Sequence, residues 1–471
     1  MAPMMPQAMG ARRIISPLSR IAGALLLALA LLMPSAAWAD VRKADVIAGT
    51  SVEAWGLTVA DCPSIESEYA ALMDEDGTVY FSRNGDSAHQ IASITKVMTA
   101  VIALENADRS IDIPVSQAAA TIGESSANLQ EGDVMTFDAA LKALLVPSGN
   151  DAAVALAESV GATMVAAGKG SGADGPVEAF VAAMNQKAAA LGCTNTLYEN
   201  PHGLDDENYV GNLHSTAEDQ AKVARYAMGF DEIRDVVSHG STSITVKRDG
   251  KDEEVELETT DELLEMYDYA IGIKTGMTDA AGPSFAGAAS KEGRELYAVV
   301  LDSSDDHQRF VDARTLFEWY YDHVKVLKLA QSESSAAMEY GGQSRDVPVV
   351  AAVSHGDWPD KTVKATLADP DAEISIFDLE GNVSQSFVFD DVRGTVNPGD
   401  KLGTVTYRQH NMVVAEQDLV AVERVEGPNP LEALAIMGQR IIGGFSGQPA
   451  QAESQIYNVM PVIQDNRTSG V

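Results

Sequence analysis

The chain has 471 residues, room for two or three domains, and its 45% hydrophobic and 22% charged residues are ordinary globular values. Its formal net charge is −36. That excess of acid argues against a nucleic-acid partner and against simple electrostatic adhesion to anionic lipid, and it favours solubility.

In chain order, residues 1–39 read as a secretory signal. Arg12, Arg13 and Arg20 supply positive charge, and Ile21 to Met33 is an apolar run short for a bilayer span. Ala37-Trp38-Ala39 is a small-x-small cleavage site, so the mature chain is expected to begin at Asp40; an uncleaved anchor is the alternative. Loss of the three arginines takes the charge to −39. In an exported chain, Cys62 and Cys193 leave a disulfide and two buried thiols equally open. There is no Cys-x-x-Cys and no His-Glu-x-x-His, and the histidines are scattered, so no metal and no other cofactor is expected.

Glu68 to Met73 and Thr78 to Phe81 are predicted strands joined by a hairpin turn at Asp74-Glu75-Asp76-Gly77. Next comes Ser93-Ile94-Thr95-Lys96, a Ser-x-x-Lys followed by a mostly apolar stretch to Asn106. A helix from Ser93 places Ser93 and Lys96 on one face. A serine hydroxyl is a poor nucleophile until its proton is taken, and a lysine can take it if burial keeps the amine neutral. The helix N-terminus also favours developing negative charge. Alone, the motif equally describes a capped helix with a surface lysine. Residues 111 to 165 read as mainly helical, with Phe137 to Leu145 and Asp151 to Val160 flanking Pro147-Ser148-Gly149-Asn150; Ser148 or Asn150 could simply cap the second helix. A Gly-rich loop over 166–176, a helix over Val177 to Leu191 and a loop-rich segment over 192–213 follow. In that segment His202 is read as structural rather than as a base. Ser215 to Met228 is a helix capped by Ser215 or Thr216. A hairpin pairs Ser243 to Lys247 with Glu254 to Glu258, and the acidic run Asp252 to Glu265 is a solvated edge. A strand over Ile271 to Gly276 carries Lys274-Thr275-Gly276, then strands over Ser284 to Ser290 and Glu295 to Leu301, and a closing helix over Gln308 to His323.

Ser-x-x-Lys, Ser-x-Asn and Lys-Thr-Gly in this order form the signature set of penicillin-binding proteins and class A β-lactamases. With Asn200-Pro201-His202-Gly203-Leu204-Asp205 and His214-Ser215-Thr216-Ala217, residues 50–325 closely resemble the serine-type D-alanyl-D-alanine carboxypeptidases, the low-molecular-weight penicillin-binding proteins. The resemblance implies an α+β fold, an antiparallel sheet flanked by helices as in β-lactamases and transpeptidases, over 40–324. It implies that Ser93 attacks a peptidoglycan stem peptide ending in D-Ala-D-Ala and that Lys96 takes its proton. Ser148 relays a proton to the leaving amine, and Asn150 binds the substrate amide and helps fix Lys96. Lys274, Thr275 and Gly276 hold the terminal carboxylate, and the backbone N–H groups of Ser93 and Met277 form the oxyanion hole. β-Lactams are then covalent inhibitors, and the site lies outside the cytoplasm at the cell wall or the outer face of the membrane.

From about Lys325 to 427, short strand-like runs separated by turns suggest a small all-β sandwich. Pro430 to Phe445, within 428–446, is a helical candidate with an apolar stripe at Leu431, Leu434, Ala435, Gly438, Ile441, Ile442 and Phe445. It is expected either to touch a membrane surface, as in relatives, or to dock on the β-domain, since Ile436 and Met437 interrupt its polar face. Residues 447–471 read as a disordered tail. Other activities on this fold are a β-lactamase, disfavoured by Ser148-Gly149-Asn150 and the lack of a visible glutamate segment, and a DD-endopeptidase. A non-catalytic wall-binding scaffold is the alternative from another class, disfavoured by three intact motifs.

Overall fold

The computed structural model describes residues 45–463, apart from 170–172, 206–208, 210, 341–342 and 447–449; the expected signal lies outside the described residues. A seven-stranded sheet runs, in spatial order, Thr50–Ser51, Asp45–Ile47, Val79–Arg83, Tyr69–Asp74, Arg294–Leu301, Ser284–Lys291 and Ala270–Gly276. Every pairing in it is antiparallel. Side chains alternate between its faces. Ala71, Met73, Val299 and Leu301 join one core with Val97, Met98, Val101 and Leu144. Ala70, Leu72, Ala298 and Val300 join the other with Phe310, Leu316, Phe317 and Trp319. Both faces are covered, which is why these strands read as unbroken apolar runs. Cys193 and Cys62 fall in the first and second core respectively, as buried thiols.

On the first face a 3-10 turn, Ala92–Ile94, leads into the helix Thr95–Asn106, of which every residue from Thr95 to Leu104 is buried. Around it pack the helices Phe137–Leu145, Asn150–Ala166, Pro176–Ala190 and Ala217–Ala227. Thr216 caps the last of these, its hydroxyl accepting from the Asp219 N–H at 3.0 Å. The helix Gln308–His323 closes the second face. Its buried Asp312 accepts from the N–H groups of Glu66 and Ser67 and from the Ser303 hydroxyl, tying the chain entering the sheet to the chain leaving it.

The stretch 111–165 is mainly helical, over Gln117–Ala120, Phe137–Leu145 and from Asn150 onward, but it also holds two strands that were not expected. Asp112–Pro114 pairs with Val134–Thr136, which pairs in turn with the hairpin Thr242–Arg248 and Lys251–Leu257 in a four-stranded sheet. Both strands are too short to display a period of their own, and the hairpin lies over a hundred residues downstream. Arg248 fastens the hairpin by a 2.7 Å ion pair to the fully buried Asp133. The hairpin's acids, Asp252, Glu253, Glu254 and Glu256, are exposed, but the run expected to be a solvated edge to Glu265 is not so throughout, since Asp261 within it is buried. A short helix, Asp231–Ser238, was not expected.

Beyond the closing helix the described elements up to residue 421 are strands, apart from a 3-10 turn over Asp378–Glu380. Two two-stranded ribbons, Val324–Lys328 with Glu373–Phe377 and Ser335–Tyr340 with Gln343–Pro348, accompany a six-stranded antiparallel sheet. Phe377 and Leu379 insert into the second core beside Trp319 and Tyr320, so the β-rich part is seated on the closing helix. The tail expected to be disordered is ordered over 450–463. Gln455–Ile456 adds an edge strand to Ala351–Ala352. Asn458 is buried, and its amide donates to the Leu329 carbonyl and to Gln385 Oε1, both at 2.8 Å. A single buried amide and main-chain pairing anchor the segment, and neither leaves a compositional trace. The helix Pro430–Ser446 docks through Ile436 and through Arg440, whose guanidinium donates to the Gly356 carbonyl at 2.7 Å. Of the two residues that interrupt its polar face, Ile436 is thus part of its docking face while Met437 is exposed. Leu431, Leu434, Ile441 and Ile442 stay exposed. Among the described residues no helix is long and apolar enough to cross a membrane.

Candidate active site

Ser93 lies in the 3-10 turn at the head of the buried helix, directly after Ala92, whose φ of 44° is unusual for a non-glycine residue. Lys96 Nζ sits 2.6 Å from Ser93 Oγ and donates to the His202 carbonyl at 2.9 Å. Lys96 is 0% exposed. Burial, and secondarily the positive charge of Lys274, hold its amine well below the ordinary lysine range, with Asp151 opposing weakly. The pair therefore has the geometry that a nucleophile and its base need, and burial favours the neutral form of the amine.

The carbonyl that positions Lys96 is itself fixed. Asn200 Oδ1 accepts from the N–H groups of His202 and Gly203, and Asn200 Nδ2 donates to the Leu204 carbonyl at 2.9 Å. Asn200 thus folds the loop into a closed turn, an ordinary use of asparagine. Thr99 donates to the Pro201 carbonyl at 2.6 Å and pins the turn to the nucleophile helix. Gly203 has φ of 92°, and a Cβ there would lie 1.9 Å from the Ala92 carbonyl oxygen. The His202 ring is buried and accepts from the Leu204 N–H at 3.2 Å; burial and Lys96 push its pKa down to about 3. It is structural, as the sequence suggested, but its main-chain oxygen serves the site.

The loop of Ser148 carries a second backbone outlier, φ 65° at Ser148 itself. Its Oγ is buried with no hydrogen-bond partner. Ser148 does not cap the following helix; Gly149 occupies the cap position, where a Cβ would meet the Ala143 carbonyl at 2.7 Å. Asn150 does not hydrogen-bond Lys96. Its Nδ2 donates to the Gly123 carbonyl at 3.0 Å and its Oδ1 is buried and unpartnered. The loop over 121–129 folds across Asn150 and takes its amide, held there by Asp151, which accepts from the Ala127 and Leu129 N–H groups and the Ser126 hydroxyl.

Lys274 and Thr275 are buried on the last strand of the sheet. Gly276 permits the strand to approach the Ser93 turn: a Cβ there would lie 2.8 Å from the Ile91 carbonyl. The Thr275 hydroxyl meets the Thr260 hydroxyl at 2.7 Å, and Lys274 Nζ donates to the Thr275 carbonyl at 3.0 Å. Arg309, from the closing helix, donates to the Gly276 carbonyl at 3.2 Å. Burial and Arg309 push Lys274 down to about 7, while burial pushes the nearby Asp261 carboxyl up to about 7. A cleft of about 480 Å³ opens over this ground, lined by Ser93, Asn150, Met277, Glu124, Asp205 and Asp279 among others. Among the described residues no group of three or more His, Cys, Asp or Glu is placed to hold a metal.

Of the expected site residues, Ser93, Asn150 and Met277 line the cleft, Lys96 bonds Ser93 beneath it, and Gly276 brings the strand of Lys274 and Thr275 against the Ser93 turn. The Asn200 turn, Asp151, Asp261 and Arg309 were missed as contributors. An asparagine two to three residues ahead of a glycine is a turn signal that points to the first; nothing local marks Arg309.

Residues 57–305 match the family described as D-alanyl-D-alanine carboxypeptidase. The chain is 27% identical over 369 residues to the D-alanyl-D-alanine carboxypeptidase DacF of Bacillus subtilis, covering 76% of this chain and 85% of the relative. It is 34% identical over 288 residues to a D-alanyl-D-alanine carboxypeptidase of Mycobacterium tuberculosis, covering 60% and 88%. In fold it is similar to the crystal structure of DacD from Francisella tularensis, with a TM-score of 0.52 and 22% identity, over 78% of this chain and 96% of that one.

Charge on Lys274 is what an anionic end group would need, and Asp261 is the carboxylate that supports it. Deprotonation of Lys274 should weaken binding of a substrate carboxylate as pH rises through about 7. Removing the Asp261 charge lowers the proton affinity of Lys274 further. In Asp261→Asn the alkaline limb of the kcat/KM–pH profile is therefore expected to move to lower pH; an unmoved limb would show that Asp261 does not set it.

Proposed function

The chain belongs to the D-alanyl-D-alanine carboxypeptidase family, and on that premise we propose that Ser93 is the nucleophile of a serine hydrolase that trims peptidoglycan stem peptides. The enzyme is a serine-type D-Ala-D-Ala carboxypeptidase of the cell wall. The observation that carries the assignment of roles is the 2.6 Å approach of Lys96 Nζ to Ser93 Oγ, with Lys96 wholly buried.

Neutral Lys96 takes the Ser93 proton as Oγ attacks the carbonyl carbon between the two D-alanines. The oxyanion meets the N–H groups of Ser93 and Met277, which both line the cleft, at the positive end of the buried helix. The C–N bond breaks as Ser148 gives its proton to the leaving amine and takes one from Lys96, which returns to the neutral amine; the unpartnered Ser148 Oγ suits that relay. Asn150 Oδ1, also unpartnered, accepts the substrate N–H. Lys274 and Thr275 hold the terminal carboxylate, and Arg309 adds positive charge behind them. Water then attacks the ester, gives a proton to Lys96, and Ser93 recovers its own. A β-lactam acylates the same serine.

Export and action outside the cytoplasm are part of this reading, supported by the N-terminal sequence and the substrate. So is contact of the Pro430–Ser446 helix with a membrane surface, supported by its exposed Leu431, Leu434, Ile441 and Ile442. Co-sedimentation of the full chain with lipid vesicles should weaken in Leu434→Glu/Ile441→Glu; undiminished binding would remove that contact.

The direct test is release of D-alanine from a peptide ending in D-Ala-D-Ala. Release that vanishes in Ser93→Ala, together with penicillin labelling, is expected. Release persisting in that variant would overturn the nucleophile, and rapid β-lactam turnover without release would favour the β-lactamase.

A further inference from the structure

One wall of the cleft is formed by Glu124 and Ser125, from a segment that has no helix or strand of its own between Gly123 and Leu129. Gly123, Glu124 and Asn128 have positive φ, at 83°, 58° and 60°. A backbone of that shape has to be held by its surroundings. Asp151, buried in the first turn of the helix Asn150–Ala166, holds it. One carboxylate oxygen accepts from the Ala127 N–H at 3.0 Å. The other accepts from the Ser126 hydroxyl at 2.6 Å and the Leu129 N–H at 3.1 Å. Ser126 Oγ accepts in turn from the Asn128 N–H at 2.9 Å. The same segment grips Asn150, whose N–H donates to the Ser125 carbonyl at 2.8 Å and whose Nδ2 donates to the Gly123 carbonyl at 3.0 Å.

A side-chain amide has a donor end and an acceptor end, and a half-turn exchanges them. The Gly123 carbonyl can only accept, so it selects the NH2 end of Asn150. Oδ1 is thereby left buried, unpartnered and in the cleft wall, an acceptor for an N–H of a ligand. With that carbonyl displaced, either end of the amide would be free to face the ligand, and the NH2 end would oppose a donor with a donor. We propose that Asp151 is a positioning residue: by fastening the 121–129 segment it places the Gly123 carbonyl, and that carbonyl turns Asn150 so that Oδ1 faces the substrate. Asp151 does not itself line the cleft and acts only through Asn150. The inference rests on the reading of the cleft as the D-Ala-D-Ala site and adds to it the device that sets the polarity of one wall.

The experiment measures kcat and KM for D-alanine release from Nα,Nε-diacetyl-L-Lys-D-Ala-D-Ala by the full chain, with active enzyme counted by benzylpenicillin labelling. Ser126→Ala loosens the segment while leaving the buried carboxylate in place, and Ser126 is exposed, so this variant is expected to fold. Oδ1 holds the substrate amide alike in the ground state and the transition state. KM should therefore rise about three- to tenfold in Ser126→Ala while kcat per active enzyme stays close to unchanged. Asp151→Asn should show the same split more strongly. Asn150→Ala should also raise KM, and Ser126→Ala/Asn150→Ala should match Asn150→Ala alone, because the segment then has no amide to orient. Independent, multiplying effects in the double variant would overturn the proposal. So would a fall in kcat or in active enzyme with KM unmoved, the mark of a brace that supports the fold alone, and so would kinetics of Ser126→Ala equal to those of the unchanged chain. An unchanged chain that neither releases D-alanine nor takes the label would overturn the reading of the site itself.

Discussion

The buried amine of Lys96, held between the Ser93 hydroxyl and the His202 carbonyl, is the constraint around which this protein is assembled. An isolated ammonium in a dry interior is costly, so burial converts lysine from a cation into a base. That conversion needs a helix buried on all sides, which the two-faced sheet and its ring of helices supply. It also needs an oxygen to orient the amine without a compensating negative charge. A main-chain carbonyl meets both conditions, and the Asn200 turn delivers it. Two glycines then let the flanking segments come close: Gly203 against the Ala92 carbonyl and Gly276 against the Ile91 carbonyl.

Two buried lysines in one cleft face opposite demands. In the proposed mechanism Lys96 is neutral to accept a proton, and Lys274 is charged to hold a carboxylate. Their surroundings differ accordingly. Lys274 has the carboxyl of Asp261 nearby to support its charge, whereas Lys96 feels burial and the repulsion of Lys274 itself, with only a weak opposing pull from Asp151. Lys274 thus helps to set the state of Lys96, and the proposed anchoring and catalytic functions are coupled through that repulsion. Two of the chain's non-glycine residues with positive φ belong to this ground, Ala92 beside Ser93 and Ser148, the proposed relay.

Much of this was legible in the sequence. The three motifs named Ser93, Lys96, Ser148, Asn150, Lys274 and Thr275 because short, ordered triplets carry chemistry that does not depend on distant context. Long periodic or apolar segments, such as Gln308–His323, were also readable. What escaped depends on partners far away in the chain. The strand Val134–Thr136 extends the hairpin at 242–257, and Asp112–Pro114 pairs with it in turn. The tail was taken as disordered because its anchors, Asn458 and two paired residues, look like any polar segment. Asn150 was expected to steady Lys96, yet the 121–129 loop claims its amide, and the sequence gives no sign of which partner wins.

The central claim is that Lys96 is a neutral base in the resting enzyme. It is tested most directly by the pH dependence of the acylation rate of Ser93 with benzylpenicillin, followed on the full chain. The account predicts a rate that rises to half its maximum at a pH well below the ordinary lysine range, with that ionisation absent and acylation nearly abolished in Lys96→Ala. A half-rise in the ordinary lysine range, or an unchanged profile in the variant, would contradict it.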